Sequence, residues 1–166
     1  DAFQKPTKPI GPFYTRAESA ALVETKGWVM KEDAAGRGFR RVVPSPSPRE
    51  IVESKTISTL LETGTIVIAV GGGGIPVIRE KGMLRGVEAV IDKDRAAAVL
   101  AEGIGAERLV ILTNVEEVYR NFGKEGQEPI RKIRLSEIRK LYENYEFPAG
   151  SMGPKIRSAI DFVASG

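Results

Sequence analysis

Residues 65–74 read Thr65-Ile-Val-Ile-Ala-Val-Gly-Gly-Gly-Gly74, with Ile75-Pro76 next. An apolar, β-branched run this short predicts a buried strand of a parallel sheet. The four glycines remove every Cβ at its carboxyl end, where open α/β sheets bind ligands. Bare backbone N–H groups there can form a concavity for an anion. A second apolar run, Val87-Glu-Ala-Val-Ile91, delivers Asp92, Lys93 and Asp94, and a helical pattern begins at Arg95. Glycine backbone on one side, a lysine and a carboxylate on the other, predict a phosphate site.

Two commoner phosphate motifs are excluded. A Walker A loop needs Lys-Ser/Thr after its last glycine, and Ile75-Pro76 stands there. A dinucleotide fingerprint begun at Gly71 or Gly72 needs a glycine at 76 or 77, held by Pro76 and Val77. The bland alternative is a flexible turn, but the position after a predicted strand favours a ligand.

Composition narrows the chemistry further. The 166 residues contain neither cysteine nor histidine. Disulfides and thiolate metal sites are excluded, as are the commonest metal ligand and the commonest general base. Catalysis would run on lysine, arginine, carboxylates and backbone amides. The net charge of +3 lies entirely in residues 1–50, which hold nine Lys/Arg against six Asp/Glu. Arg37, Arg40 and Arg41 cluster there beside one aromatic, Phe39, a pattern that suits a solvated loop or small-anion clamp better than nucleic acid. No apolar run approaches membrane-spanning length, so no membrane partner is expected, and the absence of cysteine is compatible with the cytoplasmic setting expected here.

Outward from the glycines, the pattern is regular. Lys5-Pro-Thr-Lys-Pro-Ile-Gly-Pro12 predicts an extended loop, and Thr15 with Glu18 a capping box opening a helix that stops at Gly27. Residues 28–32 and 39–43 predict a hairpin, and Pro44, Pro46 and Pro48 a stiff connector. Residues 50–52 are a strand candidate; Ser54, Asp94 and Ser136 are expected helix caps; residues 109–112 predict another buried strand. A last helix starts near Pro154, with Ile156 and Ile160 on its inner face. The β–α alternation predicts an α/β fold. Tyr119 can stack a base, whereas the helical spacing of Tyr142 and Tyr145 suits the core.

Three stretches can carry chemistry. Lys93-Asp94 stands at a predicted strand end. Ala149-Gly-Ser-Met-Gly-Pro-Lys155 leads a glycine–serine loop into a helix, whose free N–H groups and dipole favour an anion; a lysine is electrostatically unfavourable there unless it serves one. Lys8 sits in the proline-stiffened loop.

Pro6-Thr-Lys-Pro-Ile-Gly-Pro-Phe-Tyr14, Lys31-Glu-Asp33, Gly36-Arg-Gly38, Arg40-Arg-Val-Val-Pro-Ser45, Gly71-Gly-Gly-Gly-Ile-Pro76, Val90-Ile-Asp-Lys-Asp94 and Gly150-Ser-Met-Gly-Pro-Lys155 together resemble the carbamate kinases of the amino-acid kinase superfamily. The motifs are collinear over essentially the whole chain. The resemblance implies a three-layer α/β/α fold with a mostly parallel sheet and a small protruding lid. It implies residues 1–48 as that lid and its proline connector, and residues 49–166 as the nucleotide-binding domain.

The implied reaction is ATP + carbamate ⇌ ADP + carbamoyl phosphate, with Mg²⁺ carried by the nucleotide and a homodimer as the complete enzyme. Lys93 and Lys155 would contact the transferring phosphoryl group, Asp94 would orient them, and Lys8 would reach in from the lid. Gly71, Gly72, Gly73, Lys8 and Arg37 would bind substrate or phosphate. Thr113, Asn114, Val115, Tyr119, Phe147, Ala149, Gly150, Ser151, Met152, Gly153 and Lys155 would line the nucleotide. A glycine–asparagine turn that family members carry ahead of these motifs is not in this sequence, so a fragment of a larger kinase lacking its carbamate-binding lobe is expected. The alternatives are a relative acting on acetylglutamate or a nucleoside monophosphate, and a non-catalytic ADP-binding module.

Overall fold

The computed structural model describes residues 2–33, 35–147 and 152–166. They form two compact units: residues 1–47 with 73–91, and residues 48–72 with 92–166. The chain passes from the second unit to the first between Gly72 and Gly73, inside the polyglycine run.

The first unit is built on a three-stranded antiparallel sheet. Strand β1 (Lys8–Tyr14) pairs with β3 (Phe39–Val43), and β2 (Met30–Glu32) pairs with the other side of β3. Residues 8–14, expected as an extended loop, are thus an edge strand. The edge is where Pro9 and Pro12 can sit, since a missing N–H costs nothing on an open side. The register shifts between Ile10 and Tyr14, an irregularity that spans Gly11, with φ 70°, and Pro12. Gly38 is needed where β3 meets β1: its φ is 122°, and a Cβ there would lie 2.7 Å from the Tyr14 carbonyl oxygen. The hairpin predicted from residues 28–43 forms.

Helix α1 (Arg16–Lys26) opens with the predicted capping box. Thr15 Oγ1 accepts from the Glu18 N–H, and the Glu18 carboxylate accepts from the Thr15 N–H at 2.7 Å. Those bonds hold the Glu18 carboxyl below its ordinary pKa, the Thr15 N–H first and its hydroxyl second. Gly27 ends the helix in the left-handed conformation. A second hairpin, β4 (Val77–Glu80) with β5 (Met83–Gly86), turns at Lys81 and Gly82, both with positive φ. That is a type I′ turn, whose twist matches the flanking strands.

The second unit is mainly helical. It holds helices α2 (Ser54–Glu62), α3 (Lys93–Gly103), α4 (Leu135–Glu143) and α5 (Met152–Ser165), and side chains of α4 cover a small core of Phe147, Ile156 and Ile160. A third hairpin, β6 (Val118–Arg120) with β7 (Glu128–Ile130), lays Val118 and Ile130 against that core. Helix α5 packs against both α3 and α4. Ala96, Ala98, Ala101 and Leu100 of α3 are buried, and small side chains suit close helix contact.

Several expectations are corrected. The expected α/β character is present among the described residues as five helices and three small sheets, and every strand pair in those sheets is antiparallel. Residues 65–70, 87–91 and 109–112 join no strand ladder. Parallel pairing needs neighbours brought from far along the chain, whereas each hairpin carries its partner in the adjacent sequence. Residues 50–52 lead into a turn rather than a strand. The helix caps shift too: Glu53 precedes α2 without a side-chain bond, Asp92 caps α3, and the Glu137 carboxylate accepts from Arg134 N–H at the start of α4. Ser54, Asp94 and Ser136 instead lie within first turns. Tyr142 packs on the core as expected; Tyr145, with φ 57°, is exposed.

Candidate phosphoryl site at two helix N-termini

The second unit brings two of the predicted lysine-and-acid residues together from 61 positions apart. Lys155, in the first turn of α5, places Nζ 3.0 Å from Oδ2 of Asp94, in the first turn of α3. The pair is largely shielded, with 19% and 12% of the two side chains exposed. Packing of α3 on α5 is what joins these first turns. A carboxylate is favourable at a helix N-terminus and an ammonium is not. Asp94 thus offsets the poor placement of Lys155 and fixes its direction.

Asp92 secures the geometry from behind. It is buried, and its carboxylate accepts from the N–H of Asp94 at 3.0 Å and, more weakly, of Arg95 at 3.4 Å. The sequence reading singled out Asp94 as the cap; the acid two residues earlier, with extended backbone, does that work. Ser158, at 1% exposure, donates to the Pro154 carbonyl at 2.8 Å and stiffens the turn that carries Lys155. No sequence signal beyond a serine four residues after a proline pointed to it. Lys93 is exposed, next to Asp94 in sequence, and forms no ion pair among the described residues.

The other expected residues are placed as follows. Gly71 to Gly74 are all exposed, and a Cβ on any of them would meet nothing within 4 Å. Val70 just before them has φ 51°, a strained conformation for a β-branched residue. Thr113 and Asn114 are exposed and Val115 is half-buried. Tyr119, on β6, meets the Phe122 ring at 5.9 Å between centroids. Phe147 is buried at the centre of the core, Met152 packs against it, and Gly153 is buried in α5. Ala149, Gly150 and Ser151 lie outside the described residues. Lys8, on β1, and Arg37 both belong to the first unit. The Arg37 guanidinium already has a partner: Nε and Nη2 donate to the two Asp33 oxygens at 2.9 and 3.0 Å, and the group lies 4.7 Å from the Phe13 ring centroid.

Two lysines, a fixed aspartate and two helix N-termini can bind and neutralise a multiply charged anion. Both acids at this place are engaged, Asp92 with backbone N–H groups and Asp94 with Lys155. Among the described residues no helix is long and apolar enough to cross a membrane.

The family model of the amino acid kinase family matches residues 8–166. The chain is 53% identical over 165 residues to a carbamate kinase of Pyrococcus horikoshii, covering 99% of this chain and 52% of that one. A solved structure from Aeropyrum pernix aligns with a TM-score of 0.89 at 47% identity, over 99% of this chain and 53% of that one. A carbamate kinase from Giardia lamblia bound to AMP-PNP aligns with a TM-score of 0.85 at 47% identity, over 99% and 52%. The chain spans about half the length of the curated relatives it matches. With the family model matching nearly its full length, the chain belongs to the amino acid kinase family.

Proposed function

We propose that this chain supplies the nucleotide- and phosphoryl-binding part of a carbamate kinase, interconverting ATP + carbamate and ADP + carbamoyl phosphate. The observation that carries this reading is the shielded Lys155–Asp94 pair across the first turns of α3 and α5. Phosphoryl transfer asks little covalent help of a protein; it asks for alignment and charge neutralisation. Lys155, held by Asp94, is set to meet phosphate oxygens, and the α5 N-terminus adds its dipole. Lys93 brings a second ammonium. The γ-phosphoryl group passes between a carbamate oxygen and the β-phosphate oxygen of ADP. In this reading Mg²⁺ travels with the nucleotide phosphates, because Asp92 and Asp94 already have partners. The relatives' names and the AMP-PNP complex of the Giardia enzyme support the nucleotide and substrate class.

Calorimetric titration of the chain with ADP tests the reading. The expected result is saturable binding that Lys155→Ala weakens by at least ~10-fold, the loss of one charge-assisted contact. Absence of ADP binding, or binding indifferent to Lys155→Ala, would overturn it.

A further inference from the structure

The first turns of α3 and α5 meet at Asp94 and Lys155, and the two helices run on from that contact packed against each other. Residues three, four and seven positions along a helix share one face. On α3 the face that carries Asp94 continues with Ala98 and Ala101, at 4% and 7% exposure. On α5 the face that carries Lys155 continues with Ser158, at 1% exposure. The Ser158 hydroxyl is turned back on its own helix, donating to the Pro154 carbonyl at 2.8 Å, so its donor is spent within α5.

The side chains at a helix crossing set the distance between the axes, within about 8–10 Å. Alanine opposite serine allows approach near the lower limit. The 3.0 Å contact between Lys155 Nζ and Asp94 Oδ2 depends on that approach. Such a bond weakens steeply beyond about 3.5 Å, so a separation larger by about 1 Å costs the pair its contact. Two properties of Ser158 can serve this spacing, its hydroxyl and its size. The hydroxyl bonds a carbonyl that the helix ladder already uses, so removing it strands no buried group. Size is what the facing helix meets, because a close-packed interior answers added volume by shifting backbone.

We propose that Ser158 is a positioning residue: its small side chain sets the α3–α5 spacing that holds Lys155 against Asp94 and so aims the ammonium at the nucleotide phosphates. The aiming role rests on the function proposed above; the spacing role does not.

Two measurements on the 166-residue chain test it. In denaturant unfolding, the coupling between Asp94→Ala and Lys155→Ala should fall at least ~2-fold in a Ser158→Val background. Ser158→Ala, which adds no volume, should keep that coupling. In calorimetric titration with ADP, Ser158→Val should weaken binding at least ~5-fold, and Ser158→Ala less than ~2-fold. Added to Lys155→Ala, Ser158→Val should bring no further loss of affinity. Ile160→Val, a core change on α5 that also lowers stability, should leave both the coupling and the affinity as they were. Should Ser158→Val fail to fold, Ala98→Val puts the added volume on the facing helix and should give the same two results. Coupling unchanged by the added valine, or equal losses from Ser158→Ala and Ser158→Val, would overturn the proposal. A chain that ignores ADP while its coupling falls as expected would overturn the nucleotide reading and leave the spacing role standing.

Discussion

Two acid–base pairs of almost equal length sit in the two units and do different work. Lys155–Asp94 in the second unit measures 3.0 Å, and Arg37–Asp33 in the first measures 2.9 Å. The first joins residues 61 positions apart and leaves little of either side chain exposed; the second is an i,i+4 pair with Arg37 62% exposed. The long-range pair exists only when α3 packs on α5, so its formation reports tertiary structure. The local pair needs only its own loop, where the Asp33 carboxylate also accepts from the Ala35 N–H. Distance does not rank such pairs. Shielding and sequence separation do, because they decide how much water screens the charges and how much order must already exist.

The sharpest way to break the comparison is through turnover. In an assembly active in ATP synthesis from ADP and carbamoyl phosphate, Lys155→Ala should lower kcat by ~10²-fold or more, as for a lost electrostatic donor in a transition state. Lys155→Arg should recover only part, since a planar fork does not reproduce a compact ammonium. Lys93→Ala should cost turnover on the same scale while leaving stability unchanged, because Lys93 is exposed. Near-wild-type turnover in Lys155→Ala would remove the pair from the reaction and leave both pairs merely structural.

Stability comes next in size. Removing either partner of the shielded pair strands the other, which should cost about 1–3 kcal/mol in denaturant unfolding. Asp94→Ala and Lys155→Ala together should cost less than their sum, and the shortfall measures the coupling. Asp92→Ala should cost about 1 kcal/mol as a lost helix cap, and should lower the Lys155 contribution because the first turn of α3 loosens. Full additivity in the Asp94/Lys155 cycle would mean that the pair contributes nothing as a pair.

How much of this was legible follows the same division between local and distant partners. The capping box at Thr15 and Glu18, the Gly27 stop and the hairpin of residues 28–43 were all readable, because each is settled within a few residues. Asp94 and Lys155 were readable as chemistry, but not their 3.0 Å contact, which depends on helix packing. The Lys81-Gly82 hairpin carried a readable two-residue turn signal that the alternation of strands and helices masked. The segments 65–70 and 109–112 had the composition of buried strands, yet no neighbour pairs with them among the described residues. Composition specifies what a segment would bury, and only the rest of a sheet can bury it. Asp92 was overlooked because a cap must precede the first helical residue, and two acids two residues apart are equally good candidates by type.

The smallest effect expected is also the one that separates the units most cleanly. The Arg37 guanidinium beside Asp33 holds that carboxyl at about 2, below its ordinary 3.8. A group depressed in the folded state contributes stability above its unfolded pKa and loses it as pH falls through the folded value. The Asp33 contribution should therefore be complete above about pH 4 and fade between pH 4 and 2. As the pair is screened by solvent, the loss should appear as faster amide exchange at Ala35 and Gly36 rather than as a measurable shift in global unfolding. Asp33→Asn should reproduce that local loosening at neutral pH and abolish its acid dependence. The variant also tests whether Arg37 binds substrate anions. With Asp33 in place, two of the guanidinium donors are occupied. If the arginine serves an anion as well, Asp33→Asn frees it and should tighten carboxylate or phosphate binding. If its work is to brace the loop, anion affinity should stay level while the loop opens, and the structural pairing favours this second result. A gain in anion affinity on Asp33→Asn would move Arg37 from the loop's scaffold into the reacting site.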